Sequence, residues 1–234
     1  MSTTGELVTR LREEFLDDPV QADESDNGWK TPMLVAGLHA AQEELARRLF
    51  CITDATTAAV NTFPLCSFAI ADVDGVFPQS YVISRKILKV NQLFYPGVTN
   101  PLTQKSRLFL DQFDPGWVGK SGTPTLFCTD YETGKVTFNR VPEADGTAKM
   151  NVCRLPLKRL SAASSGLTES PEIQEWDDQL IHGALKWAYI LDDNHVQDKA
   201  AAKRWLDVFE IDISLLTINK AALSPQAWVT RGTP

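Results

Sequence analysis

Hydrophobic residues near the N-terminus recur with the period of an α-helix. Leu7, Leu11 and Phe15 lie four residues apart in a segment that is predicted to be helical from Gly5 to Asp18. A second helix is predicted to follow, with Thr31 as its cap and Pro32 in its first position. Its apolar face is formed by Leu34, Leu38, Ala41, Leu45 and Leu49.

From about Thr53 the hydrophobic period changes to two, which is typical of β-strands. The segment "FAIADVDGVF" predicts a hairpin about Asp74-Gly75 with a type I′ turn. In "KILKVNQLFYP" the apolar residues Leu88, Val90 and Phe94 are expected to share one strand face. The middle of the chain is therefore predicted to be a β region.

Three further strands complete this region. Strands over 125–129 and 135–141 flank "DYETG", where Gly134 is expected to take the left-handed conformation that closes a short hairpin. In "KMNVCRL", Met150 and Val152 alternate with polar neighbours. Roughly seven short strands at regular spacing predict a small antiparallel sandwich or barrel.

After the strands the period becomes helical again. Ser170 is expected to cap a helix that starts at Pro171 and has a wide apolar face, formed by Ile173, Trp176, Leu180, Ala184, Trp187, Ala188 and Leu191. A last helix, ending near Leu223, carries Val196, Ala200, Leu206, Phe209, Ile213 and Leu216.

Helices at both chain ends pack together only if the strands between them form an insertion. The predicted fold class is therefore α+β, with a helical bundle core formed by N- and C-terminal helices and an inserted antiparallel β-sandwich or barrel. The expected division is residues 1–52 and 169–222 for the two parts of the core, 53–168 for the β domain and 223–234 for an extended tail.

Charge and cysteine content narrow the function classes. The 234 residues carry a formal net charge of −7 and a pI near 5.0, which argues against a protein that grips nucleic acid through its phosphates. The four cysteines are scattered singly, which favours reduced, packed thiols over a metal site or disulfides. No membrane-spanning run or signal peptide is seen, so the chain is expected to be soluble and to begin in a cytoplasm.

The tripeptide Gly119-Lys120-Ser121 resembles the end of a nucleotide-binding P-loop. Asp114 stands where that motif needs its first glycine, and Gly122 and Pro124 follow at once, where a helix has to begin. The stretch is therefore interpreted as a polar bend with Lys120 as a surface charge.

No catalytic signature or metal-ligand spacing is present, so the chain is predicted to be no enzyme and to need no cofactor or metal. "ADVDG" lacks the next ligand of a calcium loop, and the three histidines lack ligand neighbours. Two alternatives stay open: a polysaccharide hydrolase with a carboxylate pair made by folding, and a carbohydrate-binding tail module that uses exposed tryptophans. The candidate tryptophans are Trp117, Trp176, Trp187, Trp205 and Trp228.

The order of features resembles the head-to-tail adaptor (connector) proteins of short-tailed bacteriophages. After the N-terminal helical pair, the β region contains a Trp, a short gap, "G-x-P", an Asp and a turn glycine, and a helix with "G-A-L-x-x-A-Y" comes later. The matching β-region residues are Trp117, Gly122, Pro124, Asp130 and Gly134. Further matches are Arg154-Leu155-Pro156, Pro171-Glu172-Ile173, and Gly183-Ala184-Leu185 with Ala188-Tyr189. The similarity covers most of residues 5 to 215, with Cys128 standing where an aromatic residue is common.

This resemblance implies a structural virion protein of the neck or tail, assembled in the host cytoplasm. A homo-oligomeric ring, usually of twelve copies, would dock beneath the portal protein, extend the channel through which genomic DNA passes during ejection, and bind the tail nozzle and fibres. No membrane contact and no sequence-specific DNA binding are implied. A different neck or nozzle component of the same virion is the nearest alternative.

Helix packing and the chain end supply the remaining expectations. Gly183, Ala184, Ala188 and Tyr189 are expected to pack the C-terminal helix. The segment from Ile218 through Leu223 to Trp228 is predicted to contact the portal or a neighbouring copy, with Trp228 as the anchor, because buried tryptophans are frequent interface hot spots.

Overall fold

The computed structural model describes residues 2–16, 29–190 and 198–223, with side chains up to residue 219 in the last helix. Two compact units share the chain. A helical unit is made of Met1–Cys51 and Lys158–Pro234, and a β unit is made of Ile52–Leu157. The α+β fold class is confirmed. The division predicted from the sequence, with 1–52 and 169–222 as the core, 53–168 as the β domain and 223–234 as a tail, stays a prediction.

The first helix of the helical unit, α1 (Thr4–Arg10), starts with a capping box. The Thr3 hydroxyl accepts a hydrogen bond from the Glu6 amide at 3.2 Å, and the Glu6 carboxylate accepts one from the Thr3 amide at 2.7 Å. A π-helical segment (Leu11–Leu16) continues the helix. Leu7 and Leu11 are fully buried, so the predicted apolar stripe is confirmed there.

The second helix, α2 (Thr31–Leu49), begins one residue earlier than predicted. Lys30 occupies the N-cap position without a side-chain hydrogen bond, so the prediction that Thr31 caps the helix is wrong. The Thr31 hydroxyl instead accepts a hydrogen bond from Arg12 Nη2 at 3.0 Å. The Thr31 hydroxyl oxygen therefore accepts from a residue of another helix and makes no capping hydrogen bond with the start of α2.

The helix predicted to start at Pro171 starts six residues later, as α5 (Asp177–Ile190). Pro171 and Ile173 are buried in a non-helical segment. The Glu172 amide donates a hydrogen bond to the Gln42 side chain at 2.7 Å. Backbone N–H groups in the first turn of a helix have no partner within the helix, and here Gln42 satisfies such a group without a helix. A short helix, α4 (Ser164–Leu167), precedes this segment, and α6 (Lys199–Leu223) ends where predicted.

The β unit contains two four-stranded sheets and a short hairpin. In the first sheet the long strand β10 (Gly146–Arg154) pairs along one edge with β6 (Ile87–Phe94), and along the other with β1 (Thr53–Asp54) and β4 (Ser67–Ile70), all antiparallel. The hairpin joins β2 (Ala59–Val60) and β3 (Phe63–Pro64).

The second sheet has the order β5 (Ser80–Val82), β9 (Lys135–Phe138), β8 (Leu126–Cys128) and β7 (Thr103–Gln104). Its β7–β8 pair is parallel, so this sheet is mixed at the edge where antiparallel strands were expected. No closed barrel forms among the described strands.

Aromatic rings from both sheets meet in the core of the β unit. Phe68 stacks on Tyr81 at 4.9 Å between centroids, and Phe138 lies 5.5 Å from Tyr81. Tyr95 meets Phe138 edge to face at 5.9 Å. These contacts join the two sheets as the two layers of a sandwich.

The predicted turn at Asp74-Gly75 is confirmed, with positive φ at both residues. Val73 and Val76 exchange both backbone hydrogen bonds across it, as in a type I′ turn. Strands β4 and β5 on its two sides belong to different sheets, however, so the turn connects the layers of the sandwich.

A bulge changes the face on which the residues of β6 lie. Val90 is paired with Val152 and Gln92 with Asn151, so Asn91 is the extra residue. Beyond it Leu93 is fully buried and Phe94 only partly, so the prediction that Phe94 shares the buried face of Val90 is wrong. Because side chains alternate between the two faces of a strand, one inserted residue moves every later side chain to the opposite face.

Candidate assembly surfaces

The predicted packing residues of α5 lie at the centre of the helical unit. A Cβ atom at Gly183 would stand 2.7 Å from Ala41 Cβ and 2.9 Å from Phe209 Cε2, so α2 and α6 both approach α5 at this point. Ala184 and Ala188 are buried. Small side chains allow the three helices to pack closely here.

Tyr189, the last predicted packing residue, lies half-buried at the end of α5. Its ring meets Trp29 edge to face at 5.1 Å. Burial raises the pKa of the Tyr189 hydroxyl above its ordinary value.

Ion pairs between helices surround this packing. Lys186 is 6% exposed and its ammonium lies 2.6 Å from Glu44 Oε2 of α2 and 4.6 Å from the centroid of the Phe209 ring of α6. Arg48 forms a two-pronged pair with Glu210, at 2.5 and 2.7 Å. Arg48 lowers the pKa of Glu210, against a smaller effect of burial. Charged side chains therefore also fix the positions of α2 and α6.

The last helix has apolar residues on two opposite sides. Phe209 and Ile213 are buried against the helical unit. Ile211, Leu215 and Ile218 are 60%, 55% and 64% exposed. At 3.6 residues per turn, Ile211 lies about 200° around the helix from Phe209. We call these three exposed residues the α6 stripe.

The spacing of the α6 stripe is four residues and then three, which is the d-a-d spacing of a helix that packs on another helix. A helix that is apolar on both sides is usually covered on both sides. From the sequence Ile218 was proposed as a contact residue and Ile211 and Leu215 were not included, although they lie at helical spacing from Ile218. The contact at Ile218 stays a prediction. The α6 stripe is therefore a candidate assembly surface.

Two of the residues predicted to contact the portal or a neighbour lie beyond the described side chains. Leu223 is the last residue of α6, and only its helical backbone is described. Trp228 lies outside the described residues.

The residues that carried the resemblance in the β unit hold one helix against a hairpin. This helix, α3 (Arg107–Phe113), was missed by the sequence reasoning. Trp117 is 1% exposed and its indole N–H donates to Asp111 of α3 at 2.8 Å. Both carboxylate oxygens of Asp130 accept from the Arg107 amide, at 2.9 and 3.0 Å. An acceptor at this position satisfies a free backbone N–H at the start of α3.

Gly122, Pro124 and Gly134 shape the chain on both sides of that contact. Gly134 has φ 75° and closes the β8–β9 hairpin, as predicted from its sequence position. Gly122 has φ 140° and its amide donates to Val141 O at 3.0 Å. Pro124 is buried just before β8.

The Gly119-Lys120-Ser121 stretch adopts no nucleotide-binding geometry. Gly119 has φ 79° and Ser121 makes a parallel bridge with Val141, with no helix after it. The Lys120 ammonium lies 2.5 Å from Asp114, which also pairs with Arg140 at 2.5 Å. These two cations, Lys120 first, lower the pKa of Asp114. The lysine is therefore part of a surface ion pair.

A buried ion pair joins the start and end of the first sheet. Asp54 accepts from Arg154 Nε at 2.7 Å, from the Thr56 and Thr57 amides at 2.9 and 3.1 Å, and from the Thr57 hydroxyl at 2.8 Å. Burial alone would raise the pKa of Asp54, but these hydrogen bonds hold it well below its ordinary value. Burial raises the pKa of the neighbouring Cys66 thiol to about 11, and its hydrogen bond to Asp54 adds to the effect.

Two of the tryptophans considered as sugar platforms differ in exposure, since Trp117 is buried and Trp187 is 38% exposed. No group of three or more His, Cys, Asp or Glu side chains within them could hold a metal ion. Trp117 is buried and its N–H is engaged, so it cannot stack on a sugar. No helix in the described ranges has the length and apolarity needed to cross a membrane.

Comparison with known families decides which class of protein this is. The family model described as SU10 adaptor protein matches residues 2–229. The chain belongs to the SU10 adaptor protein family. It is a phage adaptor protein with a structural role in joining head and tail, which favours a non-enzymatic function. A search of curated proteins finds no match.

The two units of this adaptor differ in charge. The helical unit contains 21 acidic and 13 basic residues, and the β unit contains 9 and 10. The negative charge of the adaptor therefore belongs to its helical unit.

Proposed function

We propose that this adaptor serves a short-tailed phage as a ring of copies, twelve in the resembling proteins. The ring docks beneath the portal protein in the virion neck, extends the DNA channel and provides attachment for the tail nozzle and fibres. The match to the adaptor family over residues 2–229 carries this proposal.

The α6 stripe supports assembly through helices. Its three side chains are more than half exposed on the side of α6 that faces away from the helical core. Exposed apolar surface of this kind marks contact sites between proteins. The segment from Ile218 to Trp228 continues from the stripe and is proposed to reach the portal or the next copy.

The charge of the helical unit supports passage of DNA without binding. An acidic channel wall repels the phosphate backbone, whereas clustered lysines and arginines would hold it. We therefore propose that acidic residues of the helical unit line the channel. Charges that point away from the channel in an assembled ring would contradict this part of the proposal.

Electron microscopy of the full-length chain mixed with its portal protein tests the ring. We expect a closed ring with the symmetry of the portal. A persistent monomer that ignores the portal would contradict the proposal and favour an enzyme or a binding module.

A truncated chain lacking residues 224–234 tests the tail contact. Portal affinity is expected to fall at least about tenfold, because loss of one anchoring side chain is often enough for that. Full portal binding by the truncated chain would show that the tail is not the anchor. Sedimentation velocity of the mixture measures the affinity.

A further inference from the structure

A groove of about 410 Å³ opens in the β unit between β6 of the first sheet and the β8–β9 loop of the second. Three of the described residues that line it are charged, and all three are cations: Arg85, Lys89 and Lys135. Gln104, Thr129 and Thr133 add polar side chains. We call this site the cationic groove.

Two of the three cations are available for a ligand. Lys135 forms an ion pair with Glu132 next to the groove. Arg85 and Lys89 are exposed and make no ion pair with any residue that the structure describes. The groove therefore presents uncompensated positive charge although the adaptor as a whole is acidic.

The groove also offers the edge of a strand. Ile87, Leu88, Lys89 and Val90 all line it. Leu88 is the extra residue of a second bulge, but Lys89 and Val90 are regularly paired neighbours whose side chains point to opposite faces, so the groove is approached from the edge of β6. Within the described sheets β6 pairs only with β10, which lies at its other edge. On the groove side the Leu102 amide donates to Leu93 O at 2.7 Å, so the open part of the edge is the stretch that lines the groove. A free strand edge provides backbone donors and acceptors for an added peptide strand.

Cations beside a free strand edge select for an acidic peptide. A DNA duplex has no peptide backbone to pair with β6. A nucleic acid would therefore contact the cations but form no strand pairing with the backbone N–H and C=O groups of β6. The stretch 17–28 of this chain, "DDPVQADESDNG", contains five acidic residues and no basic one. Its charge is complementary to that of the groove.

We propose that the cationic groove binds the acidic stretch 17–28 of a second copy as an added strand. This inference rests on the proposed ring, in which each copy meets a neighbour. The β unit is then the receptor and the acidic stretch of the helical unit is the ligand. The contact between neighbouring copies in the ring is therefore heterologous, because two different surfaces meet.

A peptide-binding measurement tests the groove without requiring a ring. The probe is a fluorescent synthetic peptide of residues 17–28, added at low salt to full-length chain in which Asp17, Asp18, Asp23, Glu24 and Asp26 are replaced by their amides. Binding is expected, and Arg85→Ala with Lys89→Ala is expected to weaken it at least about tenfold. Lys149→Ala, an exposed lysine of β10 outside the groove, is the matched control.

The same measurement can overturn the proposal in four ways, of which three concern the acidic peptide itself. The peptide fails to bind, or the groove variant binds it as well as the control does, or a short DNA duplex displaces it from the groove at equal charge. A peptide in which every carboxylate is an amide is expected not to bind, and equal binding by that peptide would also contradict the proposal.

Cross-linking shows whether the ligand comes from a second copy. Ordinary and nitrogen-isotope-labelled full-length chains are mixed and treated with a zero-length reagent that joins carboxylates to amines. Links from Lys89 to stretch 17–28 are expected to include mixed-isotope pairs, and links only within one isotope would overturn the second-copy assignment. If microscopy shows no ring while mixed pairs form, the ring proposal fails and the groove contact stands.

Discussion

The helical unit and the β unit of this adaptor are stabilised in different ways. The helical unit brings distant parts of the chain together through small side chains and through charged pairs such as Lys186–Glu44. The β unit has an aromatic core between two sheets and a buried Asp54–Arg154 pair. The helical unit also carries the excess of acidic residues and the exposed α6 stripe.

This difference indicates how the two units share the work of an adaptor. Apolar residues on two sides of α6 leave the helical unit with surface that assembly can cover. The β unit buries the aromatic rings that lie between its two sheets, leaves Phe63 and Phe113 51% and 75% exposed, and offers the cationic groove. We therefore expect changes in the α6 stripe to affect assembly, and changes in either core to affect the stability of that unit.

The largest effect is expected from replacing Ile211, Leu215 and Ile218 together by serine. Ring formation and portal binding should weaken about a hundredfold or more, because several interface side chains are lost at once. The melting temperature of the monomer should hardly change, since all three are exposed. Sedimentation velocity and calorimetry measure the two effects.

The matched control for the α6 stripe is Ser214→Ala with Asn219→Ala, two exposed polar residues of the same helix. The control is expected to assemble normally. If the control loses as much assembly as the stripe variant, or if the stripe variant loses none, the α6 stripe is not the assembly surface. The contrast drawn between the two units would then fail.

Asp54→Asn is expected to destabilise the β unit by about 3 kcal/mol, because it leaves Arg154 buried without its charged partner. Since folding lowers the pKa of Asp54, its contribution is fully present above the ordinary aspartate pKa near 4 and is lost as the pH falls below it. Denaturant unfolding at several pH values measures the loss of stability and its pH dependence.

In that experiment the variant should also lose part of the acid sensitivity of the wild type. Asp72→Asn, at an exposed position of the same unit, is the control and should match the wild type. An unchanged pH dependence in Asp54→Asn would show that this carboxylate does not govern the acid response.

Gly183→Ala and Gly146→Ala probe whether the two cores are separate. A Cβ at Gly183 would clash with Ala41 and Phe209 of the helical unit, and one at Gly146 would stand 2.5 Å from Pro96 of the β unit. Each change is expected to cost about 2 kcal/mol through overpacking. Hydrogen exchange followed by mass spectrometry should show loss of protection confined to the unit that was changed.

Loss of protection in both units from either substitution would show that they unfold together. Each glycine variant thus serves as the control for the other, since the two changes add the same single methyl group.

The smallest effect is expected from Lys120→Ala. Its pair with Asp114 lies at the surface, so the melting temperature should stay within error of the wild type. Addition of ATP with Mg²⁺ should not change the melting temperature of either protein. A rise that is seen in the wild type and in the Lys149→Ala control, but is lost in Lys120→Ala, would restore a nucleotide site.

Local patterns predicted the elements well where neighbours in sequence decide the conformation. Asp74-Gly75 and Gly134 supply the positive φ that tight turns require, and both turns formed. Prediction failed where a distant group intervened. Gln42 holds the backbone at Glu172 outside a helix, and the bulge at Asn91 exchanges the faces of Leu93 and Phe94.

The candidate surfaces were predicted only in part for the same reason. Ile218 was expected to be a contact residue, but the exposure of Ile211 and Leu215 depends on which side of α6 the rest of the unit covers. The cationic groove brings Arg85 and Lys89 together with Lys135, about 50 residues along the chain. Proximity of this kind is decided by strand pairing, which no local pattern encodes.

The sequence by itself determined the helix–strand–helix order, the turns, the acidic balance and the resemblance to phage adaptors, because period, turn chemistry and composition are local or additive properties. Only the tertiary structure decided which apolar side of α6 is left exposed, which residue of β6 is buried, and that Trp117 and Asp130 hold α3 against a hairpin. These outcomes depend on burial and hydrogen bonding between residues that are far apart in the chain, so they exist only after the units have packed.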